Sequence, residues 1–205
     1  MKIKVCGMKI SENIKELTTL PIDLMGLIFY EKSPRYAGNL DAKTLETLPP
    51  AIQKTGVFVN ATQAYILEKV AQFDLQAVQL HGNESPDFCR ELQSLNIKVI
   101  KAFQIRETED FEQCDSYKNA CDYFLFDTKS SQYGGSGKKF DWNILSSYKG
   151  DNGFFLSGGI GEDDAETIRQ LRHPRLYAID LNSRFEIEPG LKDLDKLKNF
   201  ITLFT

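Results

Sequence analysis

Residues 77–88 read AVQLHGNESPDF and contain the unit from which the fold is predicted. The first four residues form a short apolar run of the kind found in strands that are covered on both faces of a sheet. Ser85 can cap a helix, and Pro86 suits a first helical turn because its missing N–H would have no partner there. The segment therefore predicts one strand followed by one helix.

Similar apolar runs recur along the whole chain. Together with the first they cover residues 3–6, 24–29, 56–59, 77–80, 99–102, 123–127, 154–157 and 177–180. Segments with helical periodicity lie between and after them; examples are Ile66, Leu67, Val70 and Ala71, and later Leu191, Leu194, Leu197, Ile201 and Phe204. Asp41 and Asp141 provide further helix-start signals. Eight strand–helix units predict a single (β/α)8 barrel domain over residues 1–205, with an open doubly wound sheet as the rival.

Composition and charge limit the possible partners. With 25 basic and 29 acidic residues, the formal charge of −4 argues against nucleic-acid binding through a general positive field, although a local anion site stays possible. No run approaches the roughly 18 apolar residues of a membrane span, and the opening MKIKVCGMKI has no apolar signal core. We expect a cytoplasmic protein that does not contact membranes.

Cysteines and histidines are scattered rather than clustered. The cysteines are Cys6, Cys89, Cys114 and Cys121, and the histidines are His81 and His173. No C-x-x-C pair occurs, so free thiols are expected and a zinc site is not. The sequence thus implies neither a metal nor a cofactor.

Three reactive side chains end predicted strands, which is where barrel enzymes place their chemistry. Cys6 ends the first run, Asp127 the sixth and Asp180 the eighth. Cys6 is either a small buried residue or an accessible thiol that acts as a base. Asp127 is either a cap or an acid that a thiolate and a bound phosphate keep protonated. One acid and one base suit a proton shuttle without a cofactor.

Glycine-rich stretches follow two of the strands. Residues 156–162, LSGGIGE, precede a helical pattern, so their amides can face a phosphate, the alternative being a simple tight turn. Their spacing does not fit a dinucleotide fingerprint, and Gln132 and Lys139 break the P-loop pattern. The stretch Gly134 to Gly137 after the sixth strand predicts a lid.

Two further loop residues have both a functional and a structural interpretation. Arg35, in KSPRY after the second strand, can bind a carboxylate with its planar fork or stay a solvated loop residue. His81 in VQLHG can orient a substrate or cap its loop.

Taken together, KVCGMK, YEKSPRY, GVFVNA, VQLHGNE, FDTKSSQYGGSGKKFDW, LSGGI and AIDLNSRFE closely resemble phosphoribosylanthranilate isomerases of tryptophan biosynthesis. The resemblance runs from Lys2 to about Gly190. It implies an Amadori rearrangement of N-(5-phosphoribosyl)anthranilate, with Cys6 as general base and Asp127 as general acid.

The resemblance also implies the binding residues. Arg35 should bind the anthranilate carboxylate, while Gln79, His81 and Asp180 should support or bind the substrate. The phosphate should be held around Gly158, Gly159, Asn182 and Ser183. Arg184 departs from the family pattern, because many relatives have a glycine there; it either adds charge near the phosphate or points away.

Two other functions remain open at this point. The barrel and phosphate site also suit a lyase or synthase acting on a related indole or sugar phosphate, or a non-catalytic sensor of a phosphorylated metabolite. The pairing of Cys6 with Asp127 argues against the sensor. We expect a small phosphorylated substrate and a monomer or homodimer.

Overall fold

A computed structural model describes residues 1–128 and 141–204, and in these ranges eight parallel strands close into a barrel in sequence order. The strands are β1 (Lys2–Cys6), β2 (Leu24–Ile28), β3 (Gln53–Phe58), β4 (Ala77–Leu80), β5 (Lys98–Ile105), β6 (Tyr123–Thr128), β7 (Gly153–Leu156) and β8 (Leu176–Leu181). The first and last strands pair, with Val5 opposite Leu181. The eight predicted runs and the closed barrel are confirmed, and the open sheet is excluded.

The connections are less regular than the sequence predicts. The α-helices are α1 (Ser11–Leu17), α2 (Gln63–Phe73), α3 (Pro86–Ser94), α4 (Ala165–Gln170) and α5 (Leu194–Ile201). Segments of 3₁₀-helix cover Ala42–Leu45, Thr108–Tyr117, Trp142–Ser147, Glu162–Asp164 and Ser183–Phe185. Asp41 and Asp141 do cap, each accepting a backbone N–H, but only 3₁₀ segments of four and six residues follow them. The first of these ends at Leu45, before Pro49 and Pro50, where even a longer helix would have to stop.

The C-terminal region contains a feature that the sequence analysis missed. After β8, an antiparallel pair, β9 (Glu186–Glu188) and β10 (Leu191–Lys192), precedes the last helix. The predicted helical pattern was therefore wrong at Leu191, which lies in β10. The helix begins only after Asp193, whose side chain accepts the N–H of Lys196.

Side chains inside the barrel change character along the strands. Near the N-terminal ends the interior is apolar, with Leu24, Ala77, Ile100, Ala102, Leu125, Phe155 and Ala178 in one cluster. Tyr123 and Tyr177 pack against this cluster with ring centroids 4.3 Å apart. Because side chains alternate along a strand, the next inward positions, at the C-terminal ends, are Gln79, Asp127 and Asp180. The fold thus closes one end of the barrel with apolar packing and leaves polar groups at the other.

Candidate active site

One cavity lies at the C-terminal ends of the strands and collects most of the predicted site residues. Nine of the ten candidates line it: Cys6, Gln79, His81, Asp127, Gly158, Gly159, Asp180, Asn182 and Ser183. The tenth, Arg35, is not part of this lining. The structure therefore brings residues from five strands or strand ends together, although their roles remain predictions.

Cys6 is more enclosed than its strand-terminal position suggests. Its side chain lines the cavity but the residue is only 3% exposed. It lies opposite Gly26 in β2, where an added Cβ would come within 2.6 Å of the Sγ atom, so glycine leaves room for the thiol. Burial raises the pKa of the Cys6 thiol, although the positive charges of Lys4 and Lys192 lower it. Cys6 is thus a buried residue that also faces the cavity, so the structure fits both interpretations of this thiol.

Lys4, which sequence reasoning missed, lies in the interior two residues before Cys6. Its ammonium donates to both carboxylate oxygens of Asp180 and to Oε1 of Gln79, each at 2.9 Å. Burial lowers the pKa of Lys4, but Asp180 and the nearby thiol raise it more, so the residue stays a cation. Asp180 and Gln79, both predicted to bind substrate, therefore bond to a lysine in this structure.

The candidate acid is in contact with the candidate histidine. Nε2 of His81 lies 3.3 Å from Oδ2 of Asp127, and Nδ1 of His81 lies 2.9 Å from Nε2 of Gln79. The loop after β4 is held by a buried ion pair, in which Glu84 contacts Lys101 at 3.2 Å and also accepts the backbone N–H of Gly82. These contacts fix His81 at the cavity.

The predicted phosphate turn has the backbone shape that glycine allows. Gly158 and Gly159 have φ angles of 95° and 69°, which disfavour residues with a side chain. The carboxylate of Asp164 accepts the N–H of Gly161 and thereby fixes the end of the turn. Arg184 is exposed, and its Nε lies 3.5 Å from a Cβ built on Gly161. Arg184 therefore lies beside the turn rather than away from it.

Arg35 binds a carboxylate, but this carboxylate belongs to the protein. Its guanidinium contacts both oxygens of Glu186 at 2.6 to 3.0 Å. Lys192 donates to the same Glu186 at 2.7 Å and to Oδ1 of Asn182 at 2.8 Å. Burial raises the pKa of Glu186, but the bonds from Arg35 and Lys192 outweigh this and leave it below the ordinary value. Glu186 and Lys192 were missed by sequence reasoning; the Pro189–Gly190 turn was the available signal for their hairpin.

Several of the other expectations concern thiols, metals and membranes. All four cysteines are free, as predicted, all four are buried, and only Cys6 among them lines the cavity. Among residues 1–128 and 141–204, no three His, Cys, Asp or Glu side chains form a group that would hold a metal ion. Within the same ranges, every helix is too short or too polar for a membrane span. The predicted lid, Gly134 to Gly137, lies outside the described residues.

Comparisons with known proteins agree with the resemblance found in the sequence. The family model for N-(5′-phosphoribosyl)anthranilate (PRA) isomerase matches residues 3–203. The N-(5′-phosphoribosyl)anthranilate isomerase of Parabacteroides distasonis is 54% identical over 205 residues, covering 98% of this chain and 92% of that protein. The corresponding enzyme of Phocaeicola vulgatus is 44% identical over 201 residues, covering 98% and 96%.

Solved structures are similar over the full barrel. The phosphoribosyl anthranilate isomerase of Thermotoga maritima superposes with a TM-score of 0.84 at 33% identity, covering 99% of this chain and 98% of that one. Another such isomerase, solved in complex with reduced 1-(o-carboxyphenylamino)-1-deoxyribulose 5-phosphate, gives a TM-score of 0.83 at 30% identity, covering 98% and 97%. A 3-hexulose-6-phosphate synthase from Salmonella typhimurium shares only the fold, with a TM-score of 0.69 at 11% identity and coverage of 99% and 98%.

Proposed function

Because the chain belongs to the N-(5′-phosphoribosyl)anthranilate isomerase family, we propose that Cys6 and Asp127 carry out the isomerase reaction in its barrel. The protein is an aldose–ketose isomerase of tryptophan biosynthesis. The reaction is an Amadori rearrangement of N-(5′-phosphoribosyl)anthranilate to 1-(2-carboxyphenylamino)-1-deoxyribulose 5-phosphate. The lyase, synthase and sensor alternatives are accordingly set aside.

The proposed mechanism moves protons and needs no redox cofactor, because the oxidation of one sugar carbon balances the reduction of its neighbour. Asp127 protonates the furanose ring oxygen, the C1′–O bond breaks and a Schiff base forms. Cys6 then removes the C2′ proton, and the electron pair of that C–H bond gives the enolamine. Tautomerisation of the enolamine yields the ketone.

The observation that carries the proposal is the position of the two residues around one cavity. Cys6 on β1 and Asp127 on β6 both line it from strand ends, as do Gly158 and Gly159 of the phosphate turn. A phosphate held by the amides of that turn, with Asn182 and Ser183, would fix the sugar between thiol and carboxyl. This arrangement supports acid and base acting on one bound substrate.

Substrate binding by Arg35 is proposed as an exchange of carboxylates. The anthranilate carboxylate would take the place that Glu186 occupies on the guanidinium. Glu186 would keep Lys192 as its partner during this exchange, because Lys192 already donates to Oε1 of Glu186. Gln79, His81 and Asp180 remain proposed contacts of the substrate or of its acid and base.

The roles can be tested with Cys6→Ser and Asp127→Asn, and turnover is followed by the loss of anthranilate fluorescence. Each variant should lose activity while its far-UV circular dichroism stays that of the wild type. Cys114→Ser, in the core outside the cavity, and the exposed Asp195→Asn are the matched controls and should remain active. Turnover retained in both site variants would exclude the assigned roles.

Complementation provides an independent test in cells. A tryptophan auxotroph that lacks this isomerase should grow when it carries the wild-type gene and fail to grow with either site variant. Growth needs the complete reaction, so phosphate binding alone would not restore it.

We further propose that residues 1–205 work as one barrel domain in the cytoplasm, as a monomer or a homodimer. Light scattering after size exclusion would distinguish the two assemblies, and cell fractionation would test the location. The Thermotoga maritima isomerase is described as dimeric, and monomers generated from it have also been solved, so both states occur for one relative.

A further inference from the structure

A continuous line of polar contacts connects a buried lysine with the proposed general acid, and it consists of two hydrogen bonds followed by an ion-pair contact between His81 and Asp127. It starts at the ammonium of Lys4, which donates to Oε1 of Gln79 at 2.9 Å. Nε2 of Gln79 lies 2.9 Å from Nδ1 of His81, and Nε2 of His81 lies 3.3 Å from Oδ2 of Asp127. Lys4 is fully buried and Gln79 is 2% exposed, so water has little access to the start of this line.

The donor and acceptor roles along this line follow from Lys4. An ammonium group has three donors and no acceptor, so the Gln79 atom facing it must be the carbonyl oxygen. The amide nitrogen of Gln79 then faces His81 and can only donate. Nδ1 of His81 must therefore accept, and a neutral imidazole with an accepting Nδ1 has its proton on Nε2.

We propose that Lys4, acting through Gln79, fixes the His81 tautomer so that Nε2–H donates to Oδ2 of Asp127. This inference rests on the proposed role of Asp127 as the general acid. Lys4 and Gln79 are then positioning residues, because they act through His81 and need not touch the substrate.

The tautomer decides where the acid proton goes. With hydrogen on Nε2, His81 stabilises the carboxylate that Asp127 becomes after it has protonated the ring oxygen. The opposite tautomer would present a lone pair to Asp127, and a protonated Asp127 would donate to this lone pair rather than to the substrate. The line from Lys4 thus directs the proton towards the sugar.

Nitrogen NMR of histidine-labelled protein tests the tautomer directly. The chain has only two histidines, and His173→Gln identifies the remaining signals as those of His81. At about pH 8, where an ordinary histidine is neutral, we expect protonated Nε2 and unprotonated Nδ1 in the wild type. Protonated Nδ1 with unprotonated Nε2 would overturn the inference without any variant of the site.

Gln79→Glu is the informative variant, because a carboxylate next to Nδ1 accepts instead of donating. The proton of His81 should move from Nε2 to Nδ1, and kcat should fall about tenfold to a hundredfold with little change in KM, the range seen when the outer contacts of metal ligands are removed. The matched control is Gln76→Glu at an exposed position, which should keep the wild-type spectrum and kcat.

The outcomes separate this inference from the proposed function. If Gln79→Glu changes the His81 tautomer but keeps kcat, the positioning role is excluded while the isomerase roles of Cys6 and Asp127 stand. If Gln79→Glu leaves the tautomer unchanged, the link from Lys4 is excluded. If Asp127→Asn keeps full activity, the proposed acid is wrong whatever the spectrum of His81 shows.

Discussion

The buried ion pair between Lys4 and Asp180 predicts a large loss of stability when one partner is removed. The two side chains are 0% and 5% exposed, and the pair is 2.9 Å long. Lys4→Met keeps most of the volume but leaves the Asp180 carboxylate buried without its cation. Breaking such a buried pair lowers the free energy of unfolding by about 3–5 kcal/mol.

Removal of both charges should be less damaging than removal of one. In Lys4→Met/Asp180→Leu no buried charge of this pair is left, and apolar replacement of an ion pair is often nearly neutral. The loss that remains comes from Oε1 of Gln79, which no longer accepts from Lys4; an unsatisfied buried acceptor costs about 1–3 kcal/mol. The double variant should therefore be more stable than Lys4→Met alone.

Urea denaturation followed by far-UV circular dichroism measures these differences in the free energy of unfolding. Lys54 and Asp74 form a matched control pair of the same residue types, 2.7 Å apart, in which the aspartate is 85% exposed. Lys54→Met should change the stability by less than about 1 kcal/mol. If Lys4→Met also stays within about 1 kcal/mol, or if the double variant is less stable than Lys4→Met, the electrostatic argument is refuted.

Three further predictions concern ionisation and phosphate binding. The rate of Cys6 alkylation, mapped by mass spectrometry, should continue to rise as the pH passes about 8.5, because burial raises the pKa of the thiol. A rate that becomes constant below this pH would contradict the raised pKa. Arg184→Ala should raise KM about two- to fivefold with kcat unchanged, because the exposed guanidinium lies beside the phosphate turn. An unchanged KM would show that Arg184 makes no contact with the phosphate. Burial lowers the pKa of His173 when the chain folds, so the unfolded chain takes up the proton at a higher pH than the folded chain does. The free energy of unfolding should therefore fall as the pH drops below about 6.5. His173→Gln should flatten this dependence in urea titrations at several pH values.

The strands were predictable because each depends on a local pattern. A short, mostly apolar run between turn signals, repeated at regular intervals, indicates strands buried on both faces. Helices were harder to predict: the caps at Asp41 and Asp141 were correct, yet the segments after them are 3₁₀-helix. A cap shows where a helix starts, but its length depends on packing against the barrel, which no local pattern contains.

The site was predictable where side chains alternate along one strand and unpredictable where partners are far apart in sequence. Cys6 and Lys4 share a strand face by the period of two, so the inward cysteine was itself a signal for an inward lysine. The partner of that lysine, Asp180, lies 176 residues away, and Glu186 lies 151 residues from Arg35. Only closure of the barrel brings these pairs together.

The raised pKa of Cys6 fits the proposed order of events in the reaction. A general base that is mostly protonated in the free protein needs a positive charge near it when it acts. The proposed first step supplies this charge, because proton delivery by Asp127 opens the sugar and produces a cationic Schiff base next to C2′. That cation, together with Lys4 and Lys192, lowers the thiol pKa at the step that requires the thiolate. The acid would thus activate the base through the substrate, and neither residue would complete the rearrangement alone.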